Sequence, residues 1–321
     1  MMPLVCTAIT TRNRAAMLPG AIRSALAQTD AGGKPIAQEI VIVDDGSTDD
    51  TRAVAEKFVR DYPGIVRYVP TRTGSCAGTR NAGIREATAP FFALLDDDDE
   101  WLPGRLQKAL ARFDESPGAA LVYGQAIPTD ADLQPMPDAA PAFPERHLMM
   151  DGHPVEAFLT ASPHMNAVLF RRPVFDKHGV FDESLSGFED TDLMVRIARH
   201  EVCLALPEPL TLMRFHTDAL NNADRMWKRF VDETRSRQSH FAVIDAHRPP
   251  FARRLKINLA NRGWYVHRFL TCAAASAAAG NTGAAWQAVL YALKASPLHT
   301  LKSPLFWNSH RARRASEGQP A

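Results

Sequence analysis

The 321 residues are 45% hydrophobic and 23% charged, which excludes a fibrous or wholly disordered chain and allows one large domain, or one with a helical appendage. The net charge of +1 conceals an asymmetry: residues 225–321 hold 16 Lys and Arg against 4 Asp and Glu, and the rest of the chain holds 21 against 32. Four scattered cysteines (Cys6, Cys76, Cys203, Cys272), none in a Cys-x-x-Cys pair, exclude zinc knuckles and a disulfide framework and suit a reducing compartment.

In chain order, the apolar run Leu4–Thr11 is too short for a signal-peptide core, and Arg12 and Arg14 follow it instead of preceding it, so a cytoplasmic chain is expected. Strands are predicted at Leu4–Thr10, Glu39–Val43, Val66–Val69, Phe91–Leu95 and Ala120–Tyr123. Helices are predicted between them, near Met17–Ala27, Asp50–Asp61, Ala77–Ala87 and Pro103–Asp114. This alternation signals βαβ units and a mostly parallel sheet, and the continuous apolar runs predict helices on both of its faces. Pro128 to Pro163 holds seven prolines and little periodicity, the mark of a long functional loop. Regular structure resumes with Asn166–Phe170, a helix from Glu189, and strands at Val202–Leu206 and Leu210–His216. Beyond Asn222 the pattern is helical to about Leu293. Phe269–Leu293 is uncharged, but Gly280-Asn281-Thr282-Gly283 breaks it, which predicts a helical hairpin and not a membrane span.

Ligands of open α/β sheets collect at the carboxyl ends of the strands. Three predicted strands end in polar clusters there: Thr10-Thr11-Arg12-Asn13, Asp44-Asp45-Gly46-Ser47-Thr48 and Asp96-Asp97-Asp98-Asp99. Four consecutive aspartates repel one another unless a cation compensates them, and Mg²⁺ or Mn²⁺ takes such oxygen ligands together with substrate phosphates. The plainer role, capping of the following helix by Asp99 or Glu100, needs one acid and not four. A carboxylate in the Asp44-Asp45 pair can accept hydrogen bonds from a nucleobase or a ribose. The stretch Gly74–Gly83 matches neither the dinucleotide fingerprint nor the P-loop, and reads as a loop entering a helix with Arg80 toward the site.

With these residues in view, the chain resembles the family 2 glycosyltransferases, nucleotide-sugar enzymes of the GT-A fold. The resemblance is carried by the first loop, Val43–Thr51, Thr79–Gly83, Leu95–Pro103, Phe170–Phe175, Gly179–Leu185 and Phe188–Leu193, in that order, and covers roughly residues 3–217. It implies a Rossmann-like mixed, mostly parallel sheet flanked by helices, with a C-terminal helical extension. The expected division is a catalytic domain over residues 1–221, its nucleotide-sugar half about 1–124 and its acceptor half about 125–221, and a basic helical extension over 222–321. The family pattern places Thr10, Asp45 and Arg80 at the nucleotide base, Asp96 and Asp97 at the ribose side, Asp98 at the metal and Asp190 as general base. Where the family often has an aromatic residue, this chain has Arg12, whose guanidinium can stack on a base. Arg214-Phe215-His216 stands close to the family's Arg-x-His, which makes His216 a candidate metal or diphosphate contact.

The expected reaction is a single displacement with inversion at the anomeric carbon, dependent on Mn²⁺ or Mg²⁺, from a nucleoside-diphosphate sugar (UDP-sugar expected) to a glycan or lipid-linked acceptor hydroxyl. Nucleic acid is not an expected partner. Peripheral contact with an anionic membrane is expected through the basic helices. The rival readings are a sugar-1-phosphate nucleotidyltransferase, for which the first loop lacks a glycine run, and an inactive sugar-binding or adaptor protein, against which Asp98 and Asp190 stand. Sugar and acceptor choice depend on the Pro128–Pro163 loop and on Ser162-Pro163-His164-Met165-Asn166, which the sequence leaves unread.

Overall fold

A computed structural model describes residues 2–136, 150–185, 187–214, 223–224, 227–228, 230–232, 234–235, 251–278 and 280–306. The chain divides into two compact units, Met1–Phe215 and His216–Ala321.

The first unit is built on eight strands: β1 (Val5–Thr11), β2 (Gln38–Asp45), β3 (Val66–Thr71), β4 (Phe91–Asp96), β5 (Glu100–Trp101), β6 (Leu121–Thr129), β7 (Val168–Arg171) and β8 (Cys203–Arg214). Its helices are α1 (Leu18–Leu26), α2 (Thr51–Asp61), α3 (Cys76–Glu86), α4 (Arg105–Glu115), α5 (Val155–Thr160), α6 (Pro173–His178) and α7 (Glu189–Ala198). The strands form one mixed sheet in the order β3-β2-β1-β4-β7-β6-β8-β5. The β3-β2-β1-β4 half is parallel throughout, and β7 enters antiparallel between β4 and β6. This is the expected mixed, mostly parallel sheet.

Every residue of β1 is buried, so helices cover both sheet faces. On α1 the buried residues Leu18, Ala21, Ile22 and Ala25 recur at helical spacing and meet a core that includes Ile9, Ile40, Leu106 and Phe113. Complete burial of each large aliphatic side chain contributes about 1.5–3 kcal/mol. Helix α3 is buried from Ala77 to Ile84, which its small residues permit. At Gly83 an added Cβ would lie 2.6 Å from the Ala8 Cβ, so only glycine allows this approach to β1. Strand register then aligns the ends: Thr10 pairs with Asp96 and Val43, Thr11 with Asp44, and Asp45 with Thr71.

The second half departs from expectation in three places. The two strands expected at Val202–Leu206 and Leu210–His216 are one strand, β8. Its Pro207-Glu208-Pro209 segment is exposed, and its pairing with β6 shifts register on either side of Gln125. The prolines mark a bulge and not a strand end. Strand β6 runs on to Thr129 through Pro128, and α5 occupies part of the predicted loop, of which residues 137–149 lie outside the described residues. Asn166 sits in a 3₁₀ turn, Met165–Ala167, that precedes β7. Neither Asp99 nor Glu100 caps a helix, because Glu100 and Trp101 pair with β8 and α4 starts after Gly104.

In the second unit, α8 (Phe251–Ala278), α9 (Thr282–Ala295) and α10 (Pro297–Lys302) follow one another. Gly280 at φ +76° and the Asn281 side chain, which accepts from the Ala284 N–H, make the turn of the predicted hairpin. Tyr265, Val266, Phe269 and Leu270 of α8 pack with Ala288, Val289, Tyr291 and Ala292 of α9. No described helix is long and apolar enough to cross a membrane.

Candidate active site

The carboxyl edge of the parallel strands gathers the first set of polar groups. The Thr10 hydroxyl donates to Asp96 Oδ1 at 3.2 Å. Asp45 accepts from the N–H groups of Thr73 (2.6 Å) and Gly74 (3.0 Å), and so ties β2 to the turn that enters α3. Arg12 reaches Asp45 Oδ2 at 3.5 Å while its guanidinium stays largely exposed. Asp44 is committed elsewhere, since it accepts from the Ser47 N–H and hydroxyl and from the Tyr68 hydroxyl at 2.7 Å. Thr10, Arg12, Asp45, Arg80, Asp96, Asp97 and Asp98 therefore share one edge of the sheet.

The four aspartates alternate in burial: Asp97 and Asp99 are buried, Asp96 and Asp98 half-buried. The sequence shows four equal acids; the backbone sorts them. Asp97 accepts from the Arg12 N–H at 3.3 Å, and burial, reinforced by the charges of Asp98 and Asp96, pushes its carboxyl up to about 7. Asp99 accepts from Asn166 Nδ2 at 2.5 Å and from the Arg214 N–H at 2.8 Å, and burial with the same neighbours raises it well above the usual range. Burial would raise Asp96 as well, but the adjacent Arg80 guanidinium holds it below the ordinary value. Asp98 lies 3.8 Å from Arg14.

Arg80 spans the two halves of the site. One guanidinium nitrogen pairs with Asp96 at 3.3 Å, the other with Glu189 at 3.1 Å. Glu189 and Asp190 open α7 behind Phe188, whose φ of +77° is a strained left-handed turn for a bulky side chain. Asp190 Oδ1 accepts from the Thr191 N–H at 2.6 Å, and the Thr191 hydroxyl donates to Ser162. One residue beyond Arg80, the Asn81 side chain bonds both the N–H and the carbonyl of Phe181 at 2.9 Å. The Thr-Arg-Asn-Ala-Gly run thus provides a site cation, a clamp on the second half and a glycine contact.

Three partners were not singled out from the sequence. Asn166, fully buried, accepts from the Asp96 N–H, donates to Asp99, and offers its carbonyl to Trp101 Nε1 and Arg105 Nε. Arg105 is itself buried, with its guanidinium 3.9 Å over the Trp101 ring and a second bond to the Val168 carbonyl at 2.7 Å. His164 Nδ1 is buried without a hydrogen-bond partner among the described residues, 3.9 Å from Asp99 Oδ2, and burial lowers its basicity. Its ring and the carboxylates of Asp96 and Asp99 offer ligand atoms within 4.8 Å of one another. Oxygen-rich donors with one orphan imidazole nitrogen, in a cluster short of positive charge, fit a divalent cation such as Mn²⁺ or Mg²⁺. His216 lies outside the described residues. The only signal in the sequence was the unread segment Ser162–Asn166.

Comparison with known proteins adds the following. A family model described as Glycosyl transferase family 2 matches residues 6–179. The succinoglycan biosynthesis protein ExoU of Rhizobium meliloti is 32% identical over 207 residues, 60% of this chain and 56% of that protein. The chain thus spans little more than half the length of that relative. Among solved structures, the mannosyltransferase PcManGT of Pyrobaculum calidifontis, in complex with GDP-Man and Mn²⁺, superposes with a TM-score of 0.58 at 18% identity, over 97% of this chain and 85% of that one. S. aureus TarS 1-349 in complex with UDP-GlcNAc gives 0.54 at 15%, over 99% and 93%. At these identities the structural likeness is one of fold.

Proposed function

From the membership of this chain in glycosyl transferase family 2, with its GT-A fold, we propose an inverting enzyme that moves a sugar from a nucleoside-diphosphate donor, a UDP-sugar, to a hydroxyl of a glycan, glycolipid or polysaccharide precursor. The observation that carries this reading is the double ion pair of Arg80, which joins Asp96 on the strand edge to Glu189 beside Asp190. Thr10, Arg12, Asp45 and Arg80 hold the nucleotide, with Asp96 and Asp97 on its ribose side. Solved relatives in the fold carry UDP-GlcNAc or GDP-Man, which supports a nucleotide-sugar donor.

Asp98, together with the Asp96, Asp99 and His164 cluster, supplies the residues that would hold Mn²⁺ or Mg²⁺. A bound cation of this kind acts as a Lewis acid that stabilises negative charge on a departing diphosphate. Asp190 accepts the proton of the acceptor hydroxyl as its oxygen bonds to the anomeric carbon. The carbon–oxygen bond to the diphosphate breaks on the opposite face, and its electron pair leaves with the nucleoside diphosphate. Arg80 and Glu189 fix the distance between the donor edge and the base, so in-line orientation supplies part of the acceleration. The enzyme works in the cytoplasm, in peripheral contact with an anionic membrane through its basic helical region. A panel of nucleotide sugars, assayed by nucleoside-diphosphate release with Mn²⁺ and with Mg²⁺, tests the donor. Product analysis by NMR tests the stereochemistry, and a retained anomeric configuration would refute direct displacement.

A further inference from the structure

The helices of the second unit carry a composition that the transfer reaction does not use. Between Asp245 and Glu317 the chain has no acidic residue and 11 Lys and Arg. Six of the fourteen exposed large apolar side chains among the described residues also fall here, each 40–58% exposed. They repeat one arrangement. On α8, Leu255 and Leu259 are followed by Arg262; on α9, Trp286 and Leu290 by Lys294; on α10, Leu298 and Leu301 by Lys302. Spacings of three and four residues put each set on one stripe of its helix. On α9 the opposite stripe, Ala288, Val289, Ala292 and Ala295, is the one buried in the core of the unit.

A solvated helix face would present charges of both signs and few large apolar groups. An exposed stripe of Leu and Trp, closed by a cation and free of acid, is what a lipid interface selects. Apolar side chains enter the boundary between headgroups and acyl chains, tryptophan sits at its polar edge, and Lys or Arg stems lie along the surface with their charges toward lipid phosphates. Length forbids a crossing. Helix α9 has 14 residues, about 21 Å, against a hydrocarbon core of about 30 Å, and the longer α8 carries five Lys and Arg.

We propose that α9 and α10 lie in the plane of an anionic bilayer and insert Trp286, Leu290, Leu298 and Leu301 shallowly into it, with Lys294 and Lys302 on lipid phosphates. This rests on the peripheral membrane contact proposed above and names the surface and the lipid chemistry. It adds an apolar component to an attraction that charge alone would leave fully salt-sensitive.

The test uses the full chain without donor or acceptor, so its result is independent of transferase activity, which is assayed in parallel by nucleoside-diphosphate release in solution. Sedimentation is measured with phosphatidylcholine vesicles and with vesicles containing phosphatidylglycerol, at low and high salt. Expected are binding only to the anionic vesicles, weakened but not abolished by salt, and a drop of at least about tenfold in Trp286→Ser/Leu290→Ser. Circular dichroism and a urea midpoint confirm the fold of that variant. As a second readout, brominated lipids should quench wild-type fluorescence more than that of Trp286→Phe, a change that keeps the face apolar. No binding to anionic vesicles, equal binding by the double variant, or equal quenching overturns the proposal. So does a concentration-dependent dimer that the double variant dissolves, which would make a second copy the occupant of the face.

Discussion

Asp98 and Asp190 carry different parts of the proposed chemistry, and their substitution separates them. Asp98→Asn should abolish cation-dependent turnover and, in calorimetry, the extra nucleotide affinity that Mn²⁺ confers. The basis is its partly exposed place beside Asp97 and Asp99, whose carboxyls are pushed up by burial and by the neighbouring acids. Full wild-type activity in excess chelator would refute a metal role. Asp190→Asn should lower turnover by about 10²–10⁴, the range removed with a general base, and leave donor titration unchanged. A collapse of donor affinity would move Asp190 into the donor site and the base elsewhere.

At the scale of elements, Glu39 ties β2 to the segment between α3 and β4. Its carboxylate accepts from the N–H groups of Thr88 (2.6 Å) and Ala89 (2.9 Å) and from the Thr88 hydroxyl, with Arg67 at 3.4 Å. Burial would raise its pKa, but these partners outweigh burial and hold it below the usual glutamate range. A depressed folded-state value stabilises the fold above the unfolded pKa of about 4.3, and that contribution disappears as pH falls through the folded value. Urea midpoints of wild type and Glu39→Gln should therefore differ by a constant amount from neutral pH to about 5, then converge on further acidification. A gap that persists at pH 3 would show that shape, not charge, makes the tie. The strands β1, β2 and β4 and the helices α1, α2 and α4 were legible because a strand buried on both faces reads as an unbroken apolar run, and a helix with one buried stripe as a period. The acids at the strand ends were legible for the same reason, since the strands that end in them were. Their sorting was not, because it depends on Asn166, 67 residues from Asp99, in a turn too short to show periodicity. Helices α5 and α6 and strand β5 are likewise too short, and Pro207 and Pro209 read as a strand end because the ladder that continues through them belongs to β6.

Across the whole molecule, all four cysteines are free, with Cys6, Cys203 and Cys272 buried and Cys76 exposed. Thermal or urea unfolding should give one midpoint with and without reductant, and a fall in midpoint on reduction would contradict the structure. The position of β7 has a different kind of consequence. Strand β4 is flanked by β1 and β7, yet β7 follows it by about 70 residues, and β6, made in between, reaches β4 only through β7. During synthesis at about 5–20 residues per second, a parallel half-sheet therefore waits roughly 4–14 s with the bond-forming edge of Phe91–Ala93 open. An open apolar edge is where chains join one another, so yield from a ribosome should depend on the rate of elongation and on chaperones that cover nascent strands, and far less on the stability of the finished fold.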